Sequence, residues 1–152
     1  MQTLCPRFNS LVETFGSLVP HTLDDSQYES FEDMRQDWES TGSIRVNTEF
    51  SDGTIFGSPS VNWLFRAWHD YCHLLVNAGF DAQGERLAAD EQTRQVYALP
   101  GLSESDKLLF ARIIGIEVNG QVDYYLAHND FPQDQFEFFV GEWTRLYSEW
   151  KG

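Results

Sequence analysis

The chain has 152 residues, 41% of them hydrophobic and 15% aromatic, which is enough apolar material for one folded domain and argues against disorder. Asp and Glu number 24 and Lys and Arg 10, so the formal net charge is −14. Because affinity for a phosphate backbone comes from cationic side chains, we expect no direct binding to nucleic acid. The acidity can serve solubility, attract divalent cations or imitate a polyanion.

The sequence also bears on the compartment. Cys5 and Cys72 are too few and too far apart for a disulfide framework or a Cys-rich zinc site. No stretch approaches the ~18 apolar residues of a membrane span. The N-terminus lacks the basic region and apolar core of a signal peptide. We therefore expect a cytoplasmic protein that does not associate with membranes.

Two helices are predicted before residue 40. Up to about residue 20, four apolar residues can line one side of a short helix: Phe8, Leu11, Val12 and Phe15. A second helix is expected up to about Glu39, and Asp24, Asp25 and Ser26 offer groups that can cap its start. Its buried stripe consists of Tyr28, Phe31, Met34 and Trp38.

Beyond Gly42 the pattern changes from a helical to an alternating period. The apolar positions of this segment are Ile44, Val46, Thr48 and Phe50, and polar residues lie between them. Asp52-Gly53 follows, a pair that is typical of tight hairpin turns. Residues 44–56 therefore predict a small β-hairpin.

The second half of the chain predicts further helices. They are expected at about residues 61–77 and 83–96, from residue 103 onwards, and from about residue 132 to 150. The expected fold is mainly α. It is a compact bundle of about five helices with a small β-hairpin inserted near residues 44–56, in a single domain that spans residues 1–152.

Residues 117–126 allow two interpretations. Asn119-Gly120 can form the turn of a hairpin. Glu117, Gln121 and Tyr124 keep a spacing of three to four residues, which is typical of a helix. We favour a continuous helix.

The segment His69-Asp70-Tyr71-Cys72-His73 predicts a metal site. Residues four apart lie on the same face of a helix, so both imidazoles can reach one ion. In the zinc-hydrolase motif His-Glu-x-x-His the Glu acts as general base, whereas this chain has the shorter Asp70. Asp70 can ligate the metal, activate water or orient a histidine, and it can also simply pair with Arg66.

Two histidines leave a metal shell incomplete, and three further residues are candidates. Glu85 begins the next helix, so antiparallel packing brings it towards the histidines, although it can also be a charge that favours the helix dipole. Gln92 lies two turns further along the same face. Glu117 stands among apolar residues and needs a partner if it is buried, whereas in a strand it would face solvent.

Imidazoles combined with carboxylates suit Zn, Fe, Mn or Ni better than Ca or Mg. The alternative to a metal is a pair of partly buried imidazoles that join neighbouring helices by hydrogen bonds. His21 and His128 carry no pattern, and we interpret them as surface residues.

A longer pattern contains this segment: Phe65-Arg66-x-x-His69-Asp70-x-x-His73, Gly79-Phe80, Gly84-Glu85 and, downstream, residues 117–125 and 131–135. It resembles uncharacterised proteins of tailed bacteriophages over roughly residues 55–139. The resemblance implies a polar site of His69, Asp70, His73, Glu85, Gln92 and Glu117, and a phage protein that acts in the host cytoplasm. The resemblance implies that some of those proteins have a histidine at the position that matches Gln92. The resemblance implies no particular reaction.

Three hypotheses from different classes follow. The first is a phage accessory protein with a metal site of His69, His73 and Glu85 or Glu117, in which Asp70 supports hydrolysis. The second is an acidic inhibitor, without enzymatic activity, of a host protein that binds nucleic acid. The third is a structural helical module whose polar cluster only fixes packing. The oligomeric state is left open by the sequence.

Overall fold

A computed structural model describes residues 2–151, and its fold is mainly helical with one small sheet, as predicted. The elements in chain order are α1 (Pro6–Gly16), β1 (His21–Asp24), α2 (Phe31–Thr41), β2 (Ile44–Asn47), α3 (Pro59–Val76), α4 (Ala82–Ala98), α5 (Glu104–Gly115), a π-helical turn (Ile116–Gly120), α6 (Gln121–His128) and α7 (Gln135–Leu146). If α5, the π-helical turn and α6 count as one rod, residues 2–151 contain six helical units, against about five predicted.

The predicted hairpin at residues 44–56 is wrong. Its first half does form a strand, β2, but the partner of β2 is β1, which precedes α2 in the chain. The two strands are parallel, with His21 opposite Ile44 and Asp24 opposite Asn47. Parallel strands need a crossover connection, and α2 supplies it. No sequence pattern predicts β1, because this strand is four residues long and half of it is exposed.

Side chains of α3 explain why residues 48–56 form no second strand of a hairpin. The guanidinium of Arg66 donates to the carbonyl oxygens of Asn47 at 2.6 Å and Phe50 at 3.1 Å. The indole N–H of Trp63 donates to the hydroxyl of Ser51 at 2.8 Å. In a hairpin the backbone carbonyls of this segment would bond to a returning strand. Here side chains of α3 bond to them instead.

Helix starts follow capping residues. The hydroxyl of Ser30 accepts the N–H of Asp33 at 3.2 Å, so α2 begins at Phe31 and not near Ser26 as predicted. Gly42, with φ 70°, ends α2 in the left-handed conformation that glycine adopts without strain.

Residues 117–126 are helical, and the hairpin alternative is wrong. The helix that starts at Glu104 continues through the π-helical turn into α6 and ends at His128. The π-helical turn admits a wider winding of the backbone without breaking the rod. Its glycine, Gly120, therefore marks no hairpin.

Two apolar clusters form the core, and α3 contributes to both. The larger cluster lies among α1, α3, α4, α5 and α7, and its bulky members include Phe8, Trp68, Phe110, Ile113 and Phe139. The smaller one lies between α3 and the sheet and contains Val19, Met34, Ile44, Val46 and Ala67. Among the helices described for residues 2–151, none combines the length and the apolar character needed to cross a membrane.

Candidate metal centre

A tight connection folds α4 back along α3. Asn77 ends α3 in the left-handed conformation, with φ 51°. The carboxylate of Asp81 then caps α4 by accepting the N–H of Gly84 at 2.7 Å. A Cβ atom at Gly84 would collide with the carbonyl of Gly79, so only glycine allows the connection to pass this close to the first turn of α4.

This arrangement brings His69, His73 and Glu85 together, as the sequence predicted. Nε2 of His69 lies 2.6 Å from Oε2 of Glu85, and Nε2 of His73 lies 3.1 Å from the same oxygen. The two Nε2 atoms are 3.2 Å apart. Each residue offers one ligand atom, and these atoms all lie within 4.8 Å of one another. The three residues form a group that can hold a metal ion.

The outer nitrogen of each imidazole faces an oxygen acceptor. Nδ1 of His73 lies 2.9 Å from the carbonyl oxygen of Ala78, which can only accept, so this nitrogen carries a proton. Nδ1 of His69 lies 2.8 Å from Oε1 of Gln92 and donates to it in the same way. In the neutral rings both Nε2 atoms therefore present lone pairs to each other and to the Glu85 carboxylate. Three acceptors at these distances repel one another unless a proton or a metal ion lies among them.

The separations fit tetrahedral coordination. Ligand atoms at about 2.0 Å from a zinc ion at tetrahedral angles lie about 3.3 Å apart. The Nε2–Nε2 distance of 3.2 Å and the His73–Glu85 distance of 3.1 Å are close to this value. The His69–Glu85 distance of 2.6 Å is that of a charge-assisted hydrogen bond. It would need to lengthen by about 0.7 Å around a metal.

The charges of the group are coupled. Burial by itself would raise the pKa of Glu85, but hydrogen bonds from His69 and His73 outweigh it and hold this pKa at about 2. Burial likewise acts to lower the pKa of His69, and the hydrogen bond and charge of Glu85 raise it above the ordinary value. Glu85 is therefore ionised at neutral pH and favours a cation beside it.

Asp70 lies next to this group and outside it. Its carboxylate makes no hydrogen bond or ion pair within residues 2–151, and Arg66, the alternative partner, donates to backbone carbonyls instead. Burial raises the pKa of Asp70 to about 6, although the neighbouring His69 and His73 act to lower it. The charges of both histidines therefore act on this carboxylate, which has no hydrogen-bond partner in the described chain.

Gln92 is fully buried and lies behind His69. Its Oε1 contacts Nδ1, the nitrogen on the far side of the ring from Glu85. We therefore assign it to orientation of the imidazole and not to the metal shell, where the sequence analysis had placed it. Partners of this kind fix the tautomer of a ligating histidine and raise its basicity.

Glu117 does not join the group. It lies in the π-helical turn, 8% exposed, and its Oε2 accepts only a long hydrogen bond of 3.4 Å from the amide of Gln121. Its Oε1 is buried and has no partner within residues 2–151. Burial alone raises the pKa of Glu117 to about 8. The π-helical turn packs against α4, but Glu117 is not among the residues whose ligand atoms converge.

Three aromatic side chains border the imidazoles. The ring of Phe65 stacks on His69 at 6.3 Å between centroids, and the ring of Phe80 stands edge-on to His73 at 5.1 Å. Phe31 contacts both His73, at 6.4 Å, and Phe80, at 5.9 Å. Phe65 could have been found from its spacing of four residues before His69. Phe31 comes from a distant helix, and no local pattern points to its place.

Comparison of the chain with protein-family models, curated proteins and solved structures finds no match. The function has to be argued from the site itself. Its distinguishing features are two imidazoles and one carboxylate that converge, with an acceptor behind each imidazole.

Proposed function

We propose that this protein binds one divalent transition-metal ion through Nε2 of His69, Nε2 of His73 and the carboxylate of Glu85, and that it is a hydrolase. The observation that carries the proposal is the convergence of three lone-pair donors, two of which are imidazoles whose outer nitrogens already have partners. Two outer nitrogens donate to fixed acceptors, so both inner nitrogens face the carboxylate as potential ligands. The donor set favours Zn, Fe or Mn.

Access to the site supports a catalytic role over a purely structural one. Structural zinc sites use four protein ligands, whereas catalytic sites use three and leave one position for water or substrate. Three protein ligands converge here, and the side chain of Glu85 is 25% exposed while that of His73 is fully buried. Solvent therefore reaches the group from the side of Glu85.

A metal bound in such a site supplies Lewis-acid activation of water and of the scissile group. The protein contributes the rest. Glu85 and the two imidazoles hold the ion, and Gln92 and the carbonyl of Ala78 hold the rings in their ligating orientation. Asp70, which has no hydrogen-bond partner within residues 2–151, accepts the proton of the attacking water at its carboxylate. This is the role that Glu has in the His-Glu-x-x-His motif.

The biological setting is part of the proposal. The resemblance of residues 55–139 to tailed-phage proteins supports an accessory protein that a phage produces in the host cytoplasm. Hydrolysis of a host or phage molecule fits such a setting, and the reaction has to be found by screening the metal-loaded protein.

Metal content tests the proposal directly. Elemental mass spectrometry on untagged, freshly purified protein should find about one transition-metal ion per chain. The double variant His69→Ala/His73→Ala should lose it, because both imidazole ligands are gone. His128→Ala is the matched control, since His128 is an exposed histidine on α6 and should leave the metal content unchanged.

The structural alternative makes a different prediction for the same samples. If the histidines only join α3 to α4, wild-type protein exposed to excess Zn²⁺, Fe²⁺ or Mn²⁺ and then gel-filtered should retain no metal. The double variant should then be less stable and otherwise unchanged. That result would contradict the proposal.

A further inference from the structure

We infer that the site takes an uncharged carbonyl substrate, an amide or an ester, that carries a bulky apolar group, and that Phe80 receives this group. The inference rests on the proposed metal function and specifies its substrate class. It is argued from the contact of the partly exposed Phe80 with His73 and from the charges around the site.

Phe80 borders the candidate metal centre through its contact with His73. It immediately precedes Asp81, the capping residue of α4, and Glu85 is the fourth residue of that helix. Phe80 and Glu85 therefore lie on either side of the first turn of α4. The ring of Phe80 contacts His73, a second ligand. Phe80 therefore contacts one ligand, and Nε2 of that ligand lies 3.1 Å from Oε2 of Glu85, the ligand that is partly exposed.

Phe80 offers apolar surface to a bound molecule. Its side chain remains 38% exposed although it contacts His73 and Phe31. Phe31 supports it from α2 in an edge-to-face arrangement, with interplanar angle 85°. A substrate bound next to Glu85 can cover this surface, and burial of apolar area favours binding.

The charges around the site disfavour an anionic substrate. Two carboxylates, Glu85 and Asp70, offset a divalent ion, and the chain as a whole has a formal charge of −14. Arg66, the cation that acts on Asp70, already donates to the carbonyl oxygens of Asn47 and Phe50. A phosphate ester needs free cationic donors for its oxygens, whereas an amide or ester carbonyl does not.

Hydroxamates test the inference, because they bind metals as analogues of carbonyl substrates and differ only in the attached group. Co²⁺-loaded protein is titrated with acetohydroxamate, benzohydroxamate and inorganic phosphate, and the visible absorption of the cobalt reports binding. We expect benzohydroxamate to bind at least about tenfold more tightly than acetohydroxamate, the factor that a small apolar contact typically provides. Phosphate should bind more weakly than either.

Variants locate the effect. Phe80→Ala should weaken the binding of benzohydroxamate more than that of acetohydroxamate, so that most of the preference is lost. Phe131→Ala is the matched control, since Phe131 is an exposed phenylalanine that stacks on Tyr125. If Phe80→Ala proves unfolded by circular dichroism, Phe80→Leu keeps an apolar side chain at the start of α4 and should lose part of the preference.

The outcomes separate the two proposals. Cobalt that fails to bind stoichiometrically would overturn the metal function, and the substrate inference with it. Cobalt binding with equal affinities for both hydroxamates, or with phosphate bound most tightly, would overturn the substrate inference alone. The same holds if Phe131→Ala reduces the preference as much as Phe80→Ala.

Discussion

Two glutamates of this protein, Glu85 partly buried and Glu117 almost fully buried, behave in opposite ways. Glu85 receives hydrogen bonds from two imidazoles, and its pKa is held at about 2. Glu117 lies in the π-helical turn and has no charged partner within residues 2–151, and burial raises its pKa to about 8. The comparison shows that burial does not determine the state of a carboxyl group. The groups that face it do, so one glutamate is a carboxylate that attracts cations and the other is a neutral acid.

The largest effect is expected for Glu85, the ionised member of the pair. Glu85→Gln keeps the shape of the side chain and removes its charge. Loss of a residue that only orients a ligand lowers metal affinity by up to about 100-fold. Because Glu85 is itself a proposed ligand, the affinity for Zn²⁺ should fall by more than this. Competition with a chromophoric chelator measures it. Glu13→Gln, on the exposed side of α1, is the control and should bind Zn²⁺ like the wild type. Equal affinity of Glu85→Gln and wild type would show that Glu85 is not a ligand.

Glu117 should make the stability of the protein fall as the pH rises. In the folded state its carboxyl keeps a proton up to about pH 8, whereas in the unfolded chain it loses the proton near its ordinary pKa of 4.5. Between these values the folded state binds one proton more, so the free energy of unfolding decreases with rising pH. From pH 5 to pH 7 the ionisation of Glu117 should lower the free energy of unfolding by about 2 kcal/mol.

The variant Glu117→Gln cannot ionise and should lose this slope. Urea denaturation at pH 5, 6 and 7 measures the effect, and the difference in unfolding free energy between variant and wild type should move in favour of the variant as the pH rises. Glu13→Gln serves as control here too, with a pH dependence like that of the wild type. Parallel pH profiles for Glu117→Gln and wild type would mean that Glu117 has an ordinary pKa.

An intermediate effect is expected for Gln92, because it would act on a bound metal only through His69. Gln92→Leu removes the acceptor of the Nδ1 proton, and the affinity for Zn²⁺ should decrease by about 10- to 100-fold. Gln95→Leu is the matched control on the same helix. Gln95 accepts the indole N–H of Trp68 at 2.8 Å and contacts no ligand, so this change should cost stability and leave the affinity unaltered. Similar affinities for both variants would contradict the assignment of Gln92.

The smallest effect is expected at the start of α4. Asp81→Ala removes the cap that accepts the N–H of Gly84, and the free energy of unfolding should drop by about 1 kcal/mol. Thermal unfolding with and without saturating Zn²⁺ measures it. If the cap also positions Glu85, the stabilisation that Zn²⁺ gives should be smaller in the variant. An unchanged Zn²⁺ effect would limit the role of Asp81 to helix stability.

Much of the metal centre could be predicted because it depends on local patterns. The spacing of His69 and His73 places both rings on one helix face, and a short connection to α4 brings Glu85 opposite them. The roles of Gln92 and Glu117 could not be separated in this way. Both carry polar groups at helical spacing, and only the packing of the helices decides that one reaches an imidazole and the other is left in apolar surroundings.

The sequence by itself determined the helical class, most helix positions and the pair of histidines, because the period of apolar residues and the capping groups act within one element. Only the tertiary structure decided which elements became neighbours. It paired β2 with β1 in place of a hairpin, and it brought Phe31 against His73. The physical reason is that a periodic pattern shows which face of an element is buried. It does not show what covers that face, because the partner is selected by the shape and hydrogen-bonding groups of distant segments.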